Sequence, residues 1–314
     1  MYKLIFIVPI LIWCNVSCSS DDGVLSEPDV GKTAYIRIQQ NHFKGTVMTD
    51  EDNLESEQVI NTIALFLAEP SSKEIAYKYI NAGSMNMDGY RLIALPLQLA
   101  DLQKKDVYLI TNYGNADLSA VSTIDDIKGL TTPAVDKNHD LDPDEGFCMY
   151  GELLNYDFTH TDASAVVDVE RTCAKYRITL TFPENPVLST DNTFVIADEA
   201  SYTHVADGLR TGIPDADYFN MGEPVVLEPD MNGKYVNTVY MYEAEKAPSI
   251  YIYTRINNSI LKQEFSAELP VPYRNYIYDI DIQIYASKDS PTTRQGGKEL
   301  PYRMKMTIKN ASAI

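Results

Sequence analysis

The feature that most constrains this chain is an apolar alternation with a period of two that recurs along its whole length. Ala34, Ile36 and Ile38 interleave with Tyr35, Arg37 and Gln39, and Ile250, Ile252 and Thr254 interleave with Tyr251, Tyr253 and Arg255. Near the end Tyr276, Tyr278, Ile280, Ile282 and Ile284 alternate with a face carrying Asp279, Asp281 and Gln283. Successive side chains of a strand point to opposite faces, so this spacing builds half-buried strands. Further strands are predicted over 59–67, 90–95, 107–112, 166–182, 194–198, 236–243 and 260–267, separated by clusters of Pro, Gly, Asn and Asp. Helix is confined to two short segments, 97–104 and 123–128, the latter opened by Thr123 with Asp126 three residues on as a capping box. Many strands without strand–helix alternation predict an all-β sandwich rather than a parallel α/β sheet.

The first residues are not part of that pattern. Lys3, an apolar run over 4–13 and then Asn15-Val16-Ser17-Cys18 have the layout of a secretory signal. The run is about half the ~20 residues that a spanning helix needs. Val16 and Ser17 before Cys18 resemble a bacterial lipobox, so 1–18 is expected to be a lipoprotein signal peptide with Cys18 as its acylated, palmitate-bearing residue. Ordinary cleavage nearby, leaving Cys18 free, is the other reading. Ser19-Ser20-Asp21-Asp22 resembles the acidic tag that sends lipoproteins of Bacteroidota to the outer face of the outer membrane. Several acyl chains, at about 0.8 kcal/mol per buried methylene, would hold the protein there stably.

Past Cys18 roughly 300 residues remain, enough for two cores. The expected division is an acidic linker over 19–33, an N-terminal β-sandwich over 34–160 and a C-terminal one over 161–314, with the boundary in the polar stretch 156–163. The 45 acidic and 26 basic residues leave a net charge of −19, which disfavours nucleic acid and anionic lipid as partners. Tyrosine is abundant, 22 against 9 Phe and 1 Trp, and suits pleated surfaces with one wet edge.

Beyond the signal region the cysteines are Cys148 and Cys173, in segments that both read as strands. An exported protein permits a disulfide between them; two buried free thiols are the alternative. Gly31-Lys32-Thr33 lacks the upstream glycine and the strand–helix context of a phosphate loop. His42, His139, His160 and His204 have no metal-ligand spacing, and no catalytic residue is nominated. The one concentrated set of hard oxygen donors is Asp136, Asn138, Asp140 and Asp142, continued by Asp144 and Glu145. Alternating donors on a loop are what calcium takes, but Leu141 stands where the turn glycine belongs and Phe147 where the closing glutamate belongs. A solvated acidic turn accounts for the same residues, so no cofactor is expected beyond this weak calcium candidate.

Taken together, several segments resemble the fimbrillins, the subunits and anchors of type V pili in Bacteroidota. These are TAYIRIQQ, INTIALFLAEP, VYLITNYGN and GFCMYGEL in the first half. In the second half they are VERTCAKYRITLTF with Arg171, Ala174 and Lys175, then VYMYEAEKAP, then YRNYIYDIDIQIYA with Arg274, Asn275 and Tyr278. The resemblance implies two tandem transthyretin-like β-sandwich domains, cell adhesion as the role, other fimbrillin-type subunits as partners, and assembly into a fimbrium by strand complementation. The assembly strand would be the final alternating one, with Tyr302, Met304, Met306 and Ile308 on a buried face. Polymerising members are cut after an arginine upstream of the first core strand. Here Lys32 is the only basic residue between Cys18 and Tyr35, and Arg37 lies inside the strand. That departure implies a subunit that stays lipidated at the cell surface, an anchor or adhesin. A solitary surface lipoprotein binding glycan or host protein through tyrosine-rich loops is the alternative, and an enzyme comes third.

Overall fold

The computed structural model of the chain describes residues 32–41, 44, 55–81, 91–97, 103–114, 116–137, 140–159, 164–182, 192–206, 212–229, 234–256, 262–286, 294–295, 298–299 and 302–309. The signal segment, Cys18 and the acidic linker up to residue 31 lie outside them. What is described is almost entirely β-structure.

The first seven strands are β1 (Lys32–Gln40), β2 (Ile63–Ala68), β3 (Ile75–Asn81), β4 (Arg91–Leu97), β5 (Lys104–Thr111), β6 (Met149–Asp157) and β7 (Ser164–Arg171). They form one seven-stranded sheet in the order β3-β2-β5-β6-β7-β1-β4. The alternation in β1 does what it predicts: Ala34, Ile36 and Ile38 are buried between Ile93 of β4 and Val167 and Val169 of β7 in a core that also holds Leu65, Leu67, Val107 and Leu109. β6 and β7 pair only at Met149–Arg171 and Tyr150–Glu170. The sheet turns there, which lets β1, β4 and β7 share one core with β2 and β5. Gly151 sits at this turn because a Cβ would come within 2.1 Å of the Asp168 carbonyl oxygen.

β2 is buried on both faces. Ile63, Leu65 and Leu67 enter the core just described. Ala64, Phe66 and Ala68 enter a second cluster with Ile110 and Tyr150, roofed by Leu118, Val121 and the helix α1 (Ile124–Lys128) through Ile124 and Ile127. The expected capping box is present: Asp126 N–H donates to Thr123 Oγ1 at 3.1 Å, and Thr123 N–H to Asp126 Oδ2 at 2.8 Å.

The remaining strands are β8 (Cys173–Thr181), β9 (Thr193–Ala197), β10 (Glu199–Ala200), β11 (Tyr218–Phe219), β12 (Val225–Val226), β13 (Tyr235–Tyr242), β14 (Ser249–Thr254), β15 (Gln263–Glu268), β16 (Ile277–Ala286), β17 (Arg294–Gln295), β18 (Lys298–Glu299) and β19 (Tyr302–Ile308). Two four-stranded sheets, β12-β9-β14-β15 and β13-β8-β16-β19, close on a shared core. Tyr176, Ile178 and Leu180 of β8 meet Ile250 and Ile252 of β14 and Ile280, Ile282 and Ile284 of β16 there. Burial at roughly 1.5–3 kcal/mol for each such side chain makes this alternation the main driving term.

The structure corrects the sequence reading in several places. The single strand expected over 166–182 is two, because the chain bends at Thr172 between β7 and β8 and changes sheets. β7, which follows the stretch 156–163, pairs within the seven-stranded sheet, and the chain passes to the next sheet at Thr172. β3 was not anticipated: its burial alternates only between partial and exposed, so Tyr77 and Tyr79 gave no clear apolar face. The helix expected over 97–104 has strand at both ends, Leu97 in β4 and Lys104 in β5, and its middle lies outside the described residues.

Gly151→Ala is expected to destabilise the protein by about 1–3 kcal/mol or more, since backbone of β6 or β7 must move to admit one methyl group. A lowered urea midpoint measures it, and an unchanged midpoint would mean that the β6–β7 turn is not tight.

Candidate functional site

At the bend between β7 and β8 the backbone N–H and the hydroxyl of Thr172 both donate to the Cys148 carbonyl at 3.0 Å, while Glu243 N–H donates to the Thr172 carbonyl at 3.1 Å. Around this crossing the structure gathers charged residues out of water. The Glu57 carboxylate is fully buried and takes Lys175 Nζ at 2.5 Å and the Tyr240 hydroxyl at 2.5 Å. Arg171 is 1% exposed and donates through Nε to the Glu57 carbonyl at 3.2 Å, and through Nη1 to the Asn41 carbonyl at 2.8 Å and Asn275 Oδ1 at 3.1 Å. Burial pulls the Arg171 pKa below its ordinary value, against the opposing influence of Cys173, Glu57 and Tyr240.

A second pair stands beside the first. Arg274 Nε donates to Glu243 Oε2 at 2.7 Å, and its terminal nitrogens reach the carbonyls of Val205 and His204 at 3.0 Å each. Asn275 follows with φ of 57°, a left-handed conformation that asparagine tolerates, and its N–H donates to the Cys173 carbonyl at 2.8 Å. Its own carbonyl takes Lys44 N–H at 2.5 Å. Buried charges are tolerated only where further hydrogen bonds compensate their lost hydration, and both guanidinium groups are held by backbone carbonyls in this way.

Sequence motifs far apart in the chain thus meet at one place: Arg171 and Lys175, Tyr240 and Glu243, Arg274 and Asn275. Ala174 instead lines the core of the two four-stranded sheets, as does Tyr278, whose ring stacks on Tyr176 at 4.8 Å. Glu57 and Asn41 were missed. Glu57 lies in a 3-10 turn, Glu55–Gln58, with no periodicity to mark it.

Cys148 and Cys173 are buried free thiols at the same crossing, and the bridge considered from sequence is not made. Their side chains enter different clusters, Cys148 with Phe66 and Tyr150, Cys173 with Phe147 and Tyr240. Burial pushes both thiols up to about 12. Of the histidines, His204 contributes a backbone carbonyl to Arg274, and His42, His139 and His160 lie outside the described residues.

The acidic loop behaves as a turn. Asp142 Oδ1 accepts Asp144 N–H at 2.9 Å and caps the 3-10 turn Pro143–Glu145. Asn138 is outside the described residues, and among those described no three His, Cys, Asp or Glu side chains, Asp136 and Asp140 included, converge on a metal position. The loop instead walls a cleft of about 630 Å³ with Phe194, Met221, Val225, Asn237, Val239 and Glu199. Glu199 is 6% exposed, and burial, with Asp140 adding to it, pushes its carboxyl up to about 8.

Among the described strands β19 lies at the edge of its sheet and pairs with β16 alone, from Ala286–Tyr302 to Ile280–Ile308. Tyr302, Met304 and Met306 are partly buried against the core, but Ile308 is 39% exposed. The fully buried face expected from alternation is therefore only half realised, because an edge strand has a neighbour on one side only.

No family model matches the sequence, and no curated protein is similar to it. The fold is nonetheless shared with solved cell-adhesion and fimbrial structures. A "putative cell adhesion protein" from Parabacteroides distasonis superimposes with a TM-score of 0.64 at 14% identity, covering 90% of this chain and 98% of that one. The tip fimbrial protein Mfa3 from Porphyromonas gingivalis, with a C-terminal truncation, gives 0.54 at 13% identity over 88% and 99%. A fimbrial assembly protein from Parabacteroides distasonis gives 0.52 at 14% identity over 89% and 99%.

Lys175→Met, which leaves Glu57 buried without its cation, is expected to cost about 3–5 kcal/mol. Adding Glu57→Leu should recover part of that loss. Urea denaturation of the two single variants and the double variant forms the cycle, and additive losses would show that the pair does not couple.

Proposed function

We propose that this chain is a fimbrillin-type surface lipoprotein, acylated at Cys18 and displayed on the outer membrane, serving as a structural or anchoring subunit of a pilus joined by strand complementation and so in cell adhesion. The observation that supports the reading is the shared fold, which spans 90% of this chain and 98% of its adhesion neighbour. Two tandem transthyretin-like domains, divided near Thr172, belong to the same reading.

Two features favour an anchor over a processed polymer subunit. Arg37 sits in mid-β1 with Leu92 of β4 on one side and Val166 of β7 on the other, so its backbone is closed to a protease. β19 contributes Tyr302, Met304 and Met306 to its own chain's core, as a strand that completes its own sheet does. A solitary surface lipoprotein binding glycan or host protein through tyrosine-rich loops is the alternative; Tyr176, Tyr242 and Tyr278 are no part of such a surface, being strand residues that turn their hydroxyls to the carbonyls of Pro270, Pro133 and Val271.

Cys18→Ala is expected to move the protein from the membrane fraction to the soluble fraction and to abolish its accessibility to protease added to intact cells. Unaltered surface display would refute the lipid anchor. Deleting residues 300–314 is expected to unfold or aggregate the protein, because Ile280, Ile282 and Ile284 lose their covering strand. A folded truncated monomer by thermal melting and gel filtration, together with fibres from protease-treated full-length protein, would reverse the assignment from anchor to donor subunit.

A further inference from the structure

The cleft beside the acidic loop is a built site rather than a gap in packing. Its floor and one wall are apolar, from Phe194 of β9, Val225 of β12 and Val239 of β13, with Met221 between them. Its opposite rim carries Asp140, Asp142 and Glu145, and among the described residues no Lys, Arg or His side chain lines it. Glu199 of β10 is more than nine-tenths buried within the lining, and among the described residues its Oε1 has no hydrogen-bond partner; neither has Nδ2 of Asn237 on the facing strand β13. A buried carboxylate oxygen left unpaired costs roughly 1–3 kcal/mol, more when ionised, and such a group in a cleft marks a place for a ligand.

We propose that this cleft binds a primary ammonium group carried on a short alkyl stem, with the ammonium on Glu199 and the stem along Phe194, Met221, Val225 and Val239. An anion is excluded by the carboxylates. A bare divalent ion is disfavoured because no three of the described acidic groups converge and much of the lining is hydrocarbon. An amphipathic cation satisfies both halves, and the volume falls within the range of small-molecule sites, about 300–1,000 Å³. The raised Glu199 carboxyl agrees with an acid whose cation is absent. A free amine and a lysine side chain on a partner peptide offer the same chemistry.

Methionine-methyl NMR on the full-length protein tests this, with the Met221 resonance assigned through Met221→Leu. The probes are n-pentylammonium, 1-pentanol, acetyl-Val-Lys-Val-amide and calcium chloride. Saturable displacement of the Met221 signal by one or both amines is expected, with pentanol at least tenfold weaker and Glu199→Gln weakening the amines at least tenfold. Response to pentylammonium alone assigns a free amine, and response to the peptide alone a lysine side chain. Equal binding of pentanol, full retention of amine binding in Glu199→Gln, displacement of the amines by micromolar calcium, or no saturable response to either amine would overturn the proposal. If Glu199→Gln does not fold, the comparison of pentylammonium with pentanol on the unaltered protein decides it.

Discussion

The carboxylate of Glu57 is the interaction on which the arrangement of the two sheet systems depends. It comes from a 3-10 turn just before β2 of the seven-stranded sheet, yet its partners Lys175 and Tyr240 belong to β8 and β13 of the sheet beyond the crossing. A charge with almost no exposure has few alternatives once its partner is in place, because any displacement leaves both ions dehydrated and unpaired. Arg171 extends the constraint by tying β7 to the carbonyls of Glu57 and Asn41 and to Asn275 before β16. Apolar clusters supply attraction without direction; these hydrogen bonds fix the register in which the sheets meet.

Edges are the other problem that a protein of this kind must manage. Among the described strands none pairs with the outer side of β19, and Lys305 and Lys309 stand exposed along it, with Lys309 paired to Asp281 of the neighbouring strand. Exposed lysines along an edge discourage unspecific strand addition. The net charge of −19 works in the same direction over the whole surface.

The strands were legible wherever one face is apolar and the other polar, as in β1, β14 and β16. β3 was lost because it lies at the edge of its sheet and neither face is fully buried. The break at Thr172 was invisible because residues on both sides keep strand character; only the change of pairing partners, from β1 and β6 to β13 and β16, separates β7 from β8. The motif residues Arg171, Lys175, Glu243, Arg274 and Asn275 stood out in the sequence through family resemblance, without any indication that they touch.

The sequence by itself determined the all-β class, the short capped helix and the acidic turn at 142–145, because each depends on neighbours within a few residues along the chain. Tertiary structure alone decided that Glu57 and Lys175, 118 positions apart, form one ion pair. It also decided that Cys148 and Cys173 remain separate thiols and that Glu199 Oε1 faces a cleft with no hydrogen-bond partner among the described residues. Local pattern records which face of a strand is buried. The identity of what is buried against it depends on where β8, β10 and β13 are placed by long-range pairing, and no spacing in the sequence encodes that.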